Sequence, residues 1–426
     1  MGTNHERAGS RSIDRRTFLR QTTVGGVLGA SSLLHVRRSL GAVKDIEVAF
    51  IQPRSGPMVP IATPPVLCAA IAVDEINAEG GIRSLGGAKL KLLEYDNEGK
   101  PEVGASMVER AARSDAVAIV GSMQSGVVMV QTLTAERNRI PNIVDVAIAD
   151  DITARNLKYV FQVCPSTEQM ILSDLKFIKA LEDARTGKRV QSIAVMYEDT
   201  AFGQSVFNDI KKHHAEVGLN LVSSVGYNWK NADLTSQVTR VKAANPDLLY
   251  ISGYVPDTIL ILKTLYSLKV PLLAIHGGPN GSTDEFYDAT KPLSEFVLYT
   301  DWWSPEIIPG APKTRGASII EAYAKRSGGK PVNGEGIKTL SAFHVLKKAL
   351  EASGDRSRDK LRDALERVTA TGADGIALPY TIKFDAQHRV EGAFSVAGQW
   401  QKAQKKTVFP RDVASAPIVF PHPGWK

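Results

Sequence analysis

From residue 45 onward, short apolar runs rich in β-branched residues alternate with longer segments of helical period. Asp45–Ile51 reads as a strand. Val59–Glu79 reads as a helix stopped by Gly80-Gly81, where a positive φ suits glycine. Lys89–Tyr95, Ala116–Gly121 and Pro141–Val146 are predicted strands, with helices over Glu102–Ser114 and Gly126–Arg137 between them. Such β-α repetition implies a parallel sheet.

The pattern then restarts. Strands are expected at Tyr159–Cys164, Ser192–Tyr197, Leu219–Tyr227, Leu248–Tyr254 and Leu272–His276. Helices are expected at Thr167–Glu182, Phe202–Glu216, Leu234–Ala244 and Pro256–Leu268, the last opening on Pro-Asp. Phe296–Thr300 is one more strand. Helices near Ala317–Ser327, Glu335–Ser353 and Arg358–Arg367 have no partner strands of their own and should pack back on a lobe already built. Tyr380–Phe384 and Gly392–Gln399 read as a hairpin, and residues 405–426 as an extended surface arm.

Composition narrows the class. The 426 residues are 43% hydrophobic and 23% charged, an ordinary globular balance that excludes a disordered chain and a multi-span membrane protein. Two cysteines, Cys68 and Cys164, exclude a disulfide scaffold and a thiolate zinc site, and read as separate buried thiols. Of the net charge of +7, residues 1–42 carry +5 and the remainder +2. The body is nearly neutral, so its charge gives no reason to expect nucleic acid.

That basic N-terminus reads as an address. Residues 14–20 are Asp-Arg-Arg-Thr-Phe-Leu-Arg, followed by a weak apolar run over Thr22–Leu34 with three glycines. The run is too short for a transmembrane helix. Paired Arg15-Arg16 before Phe18-Leu19 resembles the bacterial twin-arginine export signal. The mature chain is therefore expected in the periplasm.

Enzyme chemistry has little to stand on. There is no nucleophile elbow, no His-Glu-x-x-His and no phosphate-binding glycine loop after a strand. Neighbouring His213-His214 point about 100° apart on a helix, which suits a solvated pair better than a metal site. Asp150-Asp151 suit a helix N-cap and first turn. No metal and no cofactor is expected.

Four places in the first half carry a resemblance: Ile51–Met58 (Ile-Gln-Pro-Arg-Ser-Gly-Pro-Met), Ala69–Ile82 with Asp-Glu-Ile-Asn-Ala-Glu-Gly-Gly-Ile, Tyr95-Asp96, and Val120-Gly-Ser-Met-Gln-Ser125. Val195–Gly203 and Tyr250–Tyr254 add to it in the second half. Together they resemble the type I periplasmic solute-binding proteins of ABC importers, in the leucine/isoleucine/valine-binding group. The resemblance implies an α/β fold of two doubly wound parallel-sheet lobes joined by three crossovers, here near Pro165, Thr300 and Pro379. Lobe one would be residues 43–165 and 301–379. Lobe two would be residues 166–300 and 380–404. The implied partners are a small-molecule solute and an ABC permease, with the binding protein a monomer. A sensor subunit handing its closed state to a receptor kinase is the rival reading; a secreted enzyme is a second.

Ligand would bind at the carboxyl ends of the strands. Ser125 opens a helix, where a hydroxyl and free N–H groups suit an anion, and in the family this position holds the ligand carboxylate. Met123 and Gln124 precede it. Val146, Ala147 and Ile148 follow the next strand and face the same ligand. Phe202 and Tyr254 would cover its apolar body from lobe two. Three departures alter the expected ligand. The family's threonine hydroxyl falls at Ile148, its ammonium-binding carboxylate at His276, and an aromatic at Ile61. The family's first-lobe disulfide positions are Gly99 and Gln124 here. A buried ammonium without an anion costs several kcal/mol, so an apolar or aromatic carboxylate is preferred over a branched amino acid. His276 is then a second donor. Glu168 or Asp301 could replace the lost carboxylate, and Trp302-Trp303 could line the cleft mouth or fill the hinge.

Overall fold

The computed structural model describes residues 43–425 apart from 306, 309 and 313; the expected export signal, residues 1–42, lies outside the described residues. The chain begins β1 (Ile46–Gln52), α1 (Val59–Ala78), β2 (Leu90–Asp96), α2 (Pro101–Ala112), β3 (Ala118–Val120), α3 (Ser125–Arg137), β4 (Asn142–Val144), α4 (Asp151–Ala154) and β5 (Val160–Gln162). These strands form a parallel sheet in the order β2-β1-β3-β4-β5. Ala49, Phe50 and Ile51 in β1 and all of β3 and β4 are buried, as strands covered on both faces require.

A second unit of the same kind follows: α5 (Thr167–Lys179), β6 (Ser192–Glu198), α6 (Ala201–His213), β7 (Asn220–Tyr227), α7 (Thr235–Ala244), β8 (Leu248–Ser252), α8 (Val255–Ser267), β9 (Ala274–His276), α9 (Asp284–Thr290) and β10 (Leu298–Asp301). The chain then returns through α10 (Arg315–Ser327), α11 (Gly334–Ser353) and α12 (Arg358–Glu366). Helix α11 lies against α1, and its Phe343 ring sits 5.9 Å from Phe50 of β1. The orphan helices thus complete lobe one. By length and composition α1 could cross a membrane, but Cys68, Ala69, Ile71 and Ile76 are buried beneath α11 and α10.

Three expectations need correction in the C-terminal part. Tyr380–Phe384 and Gly392–Gln399 are not a hairpin. β12 (Ile382–Lys383) pairs with β11 (Thr369–Ala370), while β13 (Val396–Gln401) lies between β10 and β14 (Gln404–Phe409). The arm therefore starts after Phe409, because residues 404–409 find a free strand edge. The second sheet runs β14-β13-β10-β9-β8-β6-β7, with β13 and β14 antiparallel additions. The third crossover also falls after, not near, Pro379. Phe384 and His388 still pack on Phe161 at 5.3 and 4.3 Å, and Arg389 bridges Gln162 at the edge of the first sheet. Helix α9, absent from the sequence reading, opens on Thr283, whose Oγ1 accepts the Phe286 N–H.

Near the crossovers the lobes are held by buried acids. Asp174 of α5 accepts from the Tyr250 hydroxyl and Thr300 Oγ1, both at 2.7 Å, and from Ser395 Oγ. Burial raises its pKa to about 7 against these donors. Burial likewise raises Asp257 to about 7 and Asp145 and Asp301 to about 6. These acids keep their protons to higher pH folded than unfolded. Their contribution is complete below the unfolded value, near pH 4, and is lost as pH rises through the folded values. Urea midpoints should therefore fall between about pH 5 and about pH 8, and Asp174→Asn should flatten that fall by on the order of 1–3 kcal/mol. An unchanged slope in Asp174→Asn would remove this acid as a cause.

Candidate functional site

The turn from β3 to α3 begins the site. Helix α3 starts at Ser125, with extended Gln124 at its N-cap making no side-chain cap bond. Ser125 Oγ instead accepts the N–H of Ala149 at 3.3 Å, which leaves its own proton free to donate. The first N–H groups of a helix have no intrahelical partner. The start of α3 is therefore a donor-rich edge with a partial positive charge.

The segment after β4 faces it. Asp145 Oδ2 accepts from Gln52 Nε2 of β1 at 2.9 Å and Thr339 Oγ1 of α11 at 2.6 Å. The Val146 carbonyl accepts from Lys338 Nζ at 3.1 Å, and the Ala147 N–H donates to the Ser122 carbonyl. The Ile148 carbonyl accepts the N–H of Thr167, the first residue of α5.

Lobe two brings the aromatic wall. Glu198 ends β6 and accepts from the Thr200 N–H and Oγ1 and from the Gly203 N–H at 2.6–2.9 Å. Those bonds fix the strand-to-helix turn and set Phe202 on the first turn of α6. Tyr254 precedes α8, its N–H bonded to Asp257, and its ring centroid lies 6.2 Å from that of Phe202. A small cleft, with about 50 Å³ open to the centre of a water molecule, lies between these parts.

Met123, Ser125, Val146, Ala147, Ile148, Phe202 and Tyr254 all line this cleft. Two expected residues do not. Gln124 is buried beside it, against Gly99: a Cβ on Gly99 would stand 2.6 Å from Gln124 Oε1. His276 is wholly buried in lobe two, its ring stacked 4.6 Å from Tyr250 and its Nδ1 accepting the Gly278 N–H. Burial lowers its pKa to about 3, so it is a neutral core residue. The chain reaches the cleft only after Gly277-Gly278, through Pro279 and Asn280, whose Nδ2 donates to the Gly253 carbonyl.

Neither substitute for the lost carboxylate lies in the cleft. Glu168 is tied to Lys212 and His213, and Asp301 accepts its neighbour's N–H behind Trp302. His213 is accordingly no solvated residue, being held between Glu168 and Glu216 at 3.0 Å each. Asp150 makes no side-chain cap bond to α4, but its Oδ1 accepts the Glu168 N–H in the first turn of α5. Its carboxylate reaches Thr167 and Ser205 across the lobe boundary.

Besides Pro279 and Asn280, three lining residues escaped the sequence reading or were left open by it. Trp302 lines the cleft and donates Nε1–H to Glu335 Oε1 at 2.8 Å, whereas Trp303 is packed in the core. Glu335 and Lys338, one turn apart on α11, also line it and pair at 2.7 Å. Among the described residues there is no group of three or more metal-ligating side chains.

A family model for periplasmic binding proteins matches residues 45–405. The chain belongs to that family. It is 28% identical to Leu/Ile/Val-binding protein homolog 7 of Brucella abortus (strain 2308), across 89% of this chain and 95% of the relative. Its fold matches LivJ of Streptococcus pneumoniae, a branched-chain amino acid binding protein solved with isoleucine, with a TM-score of 0.72 at 17% identity over 89% of this chain and 100% of the other. It also matches a solute-binding protein of Rhodopseudomonas palustris solved with benzoate, with a TM-score of 0.71 at 18% identity over 88% and 97%. The two-lobed fold is that of type I periplasmic binding proteins, and these relatives are binding proteins, not enzymes.

The placing of Phe202 depends on the strand-to-helix turn before it. Gly203 is central to it: a Cβ there would stand 2.1 Å from the Glu198 carbonyl oxygen and 2.8 Å from its nitrogen. Gly203→Ala must push α6 off β6, at a cost of about 1–3 kcal/mol. A lowered urea midpoint is expected; an unchanged one would mean the turn absorbs the methyl without strain.

Proposed function

We propose that the chain is the extracytoplasmic solute-binding subunit of an ABC importer, exported by the twin-arginine route, and that its solute is a small apolar or aromatic carboxylate. The observation that carries this is the balance of the cleft. Its wall is apolar, from Ile61, Met123, Val146, Ile148, Phe202 and Tyr254, with the Ser125 hydroxyl free to donate at the start of α3. Its one lining carboxylate, among the described residues, is Glu335, and that group is already engaged by Lys338 and the Trp302 N–H. An ammonium would have to compete for it with Lys338. The benzoate complex of one neighbour is in keeping with such a ligand.

One observation favours a second reading. Glu335 does line the cleft, so an α-amino acid could set its ammonium there, in keeping with the isoleucine complex of the other neighbour.

Thermal-shift and calorimetric titration of residues 43–426 separates the two. Benzoate and 4-methylpentanoate are expected to raise the melting temperature, and leucine, isoleucine and valine to leave it in place. Ligand at 100 times its Kd adds about 2.7 kcal/mol, a visible shift. A strong response to leucine alone would sink the carboxylate reading. Ser125→Ala should weaken the bound carboxylate by roughly 10- to 150-fold, the worth of a hydrogen bond to a charge. Unaltered affinity would place the carboxylate elsewhere.

A further inference from the structure

Lys338 is out of place by every structural measure. It lies inside α11 between Ile337 and Leu340, both buried, and its own side chain is 1% exposed. Lysine is rarely so buried unless paired, and burying a pair costs more desolvation than an apolar residue of equal size. Its ammonium is caged on three sides by Glu335 at 2.7 Å, the Val146 carbonyl at 3.1 Å and the Trp302 ring at 4.3 Å. It nevertheless lines the cleft.

The bond to Val146 shows where that charge acts. Val146 begins the stretch whose last member, Ala149, donates to Ser125 Oγ. Lys338 and Ser125 thus grip the two ends of residues 146–149, and Val146, Ala147 and Ile148 between them face the cleft. Ser125 and Lys338 line the same cleft.

We propose that Lys338 is the specificity-determining cation of the cleft, holding the ligand carboxylate together with Ser125, and that Glu335 is its resident counter-ion. This rests on the carboxylate reading above. Trp302 fixes Glu335 through Oε1, so Lys338 can be shared between Glu335 and the ligand without leaving its cage. The arrangement rewards a single negative charge. A zwitterion would need Glu335 for itself.

The test is calorimetric titration of residues 43–426 with benzoate, 4-methylpentanoate and leucine, on the parent chain and three variants. Lys338→Met should weaken the two carboxylates by about 30-fold or more, as expected for loss of a buried charge partner. Because that variant strands Glu335, the double variant Lys338→Met/Glu335→Gln removes both charges and should show the same loss with a melting temperature near the parent's. Glu335→Gln frees the ammonium and should tighten the carboxylates on the order of tenfold. Relief of repulsion alone would give the same gain in the Lys338→Met background, whereas a counter-ion role predicts that the double variant keeps the loss. Carboxylate affinity retained in both Lys338 variants would overturn the anchor while leaving the carboxylate reading intact. Weaker carboxylate binding by Glu335→Gln would overturn the counter-ion. A parent chain that binds leucine, or none of the three probes, would overturn the carboxylate reading and this proposal with it.

Discussion

Six residues, Asp145 to Asp150, bond the first sheet to α11 and to the start of the second lobe. Each is tied to a residue outside the segment. Asp145 is tied to β1 and α11, Val146 to Lys338, and Ala147 to the β3–α3 turn through Ser122 and to β5 through Gln162. Ile148 is tied to the start of α5, Ala149 to Ser125, and Asp150 to Thr167 and Ser205 of lobe two. A buried backbone without a regular partner strand must satisfy its polar groups one by one. Here that requirement recruits groups from β1, the β3–α3 turn, β5 and α11 of lobe one and from α5 and α6 of lobe two. The same segment lines the cleft, so the ligand meets a surface whose position is fixed by the whole fold.

This explains which features were legible in the sequence. Alternation of strand and helix gave the two parallel units, since each buried strand is a short apolar run that nothing else imitates. Ser125, Val146, Ala147, Ile148, Phe202 and Tyr254 follow strand ends directly, and position along a β-α unit is enough to place such residues at the carboxyl edge. His276 also ends a strand, yet it faces the core. The Gly277-Gly278 step carries the chain past it, and Asn280 arrives at the cleft instead. One strand end does not specify which of its last residues turns inward.

Glu335 and Lys338 were hidden for a different reason. They sit on a returning helix about two hundred residues beyond Ser125, and no local rule connects the two. A signal was present in the helix itself. In α11, Ile337, Leu340, Phe343 and Leu346 mark a face that is buried, and Lys338 stands in the same buried stretch with Glu335 one turn before it. A lysine inside such a run needs an anion beside it and a reason to be there. The C-terminal errors share a cause too. Strand β14 and the late third crossover depend on free sheet edges, which exist only once both sheets have formed.

The contact between the lobes has an electrostatic cost of its own. Asp150 belongs to lobe one, but its carboxylate lies against α5 and α6, where Asp209 is also buried. Burial first, and then the Asp150 carboxylate, raise the Asp209 pKa, with Glu168 adding to the effect despite its own partners Lys212 and His213. Two carboxyls brought together in a low-dielectric seam cannot both ionise cheaply. Set against this are the Thr167 and Ser205 hydroxyls and the Glu168 N–H, which bond Asp150. A ligand that fills the cleft adds to the favourable side only. In a binding protein of this family, that difference is what ligand binding has to supply.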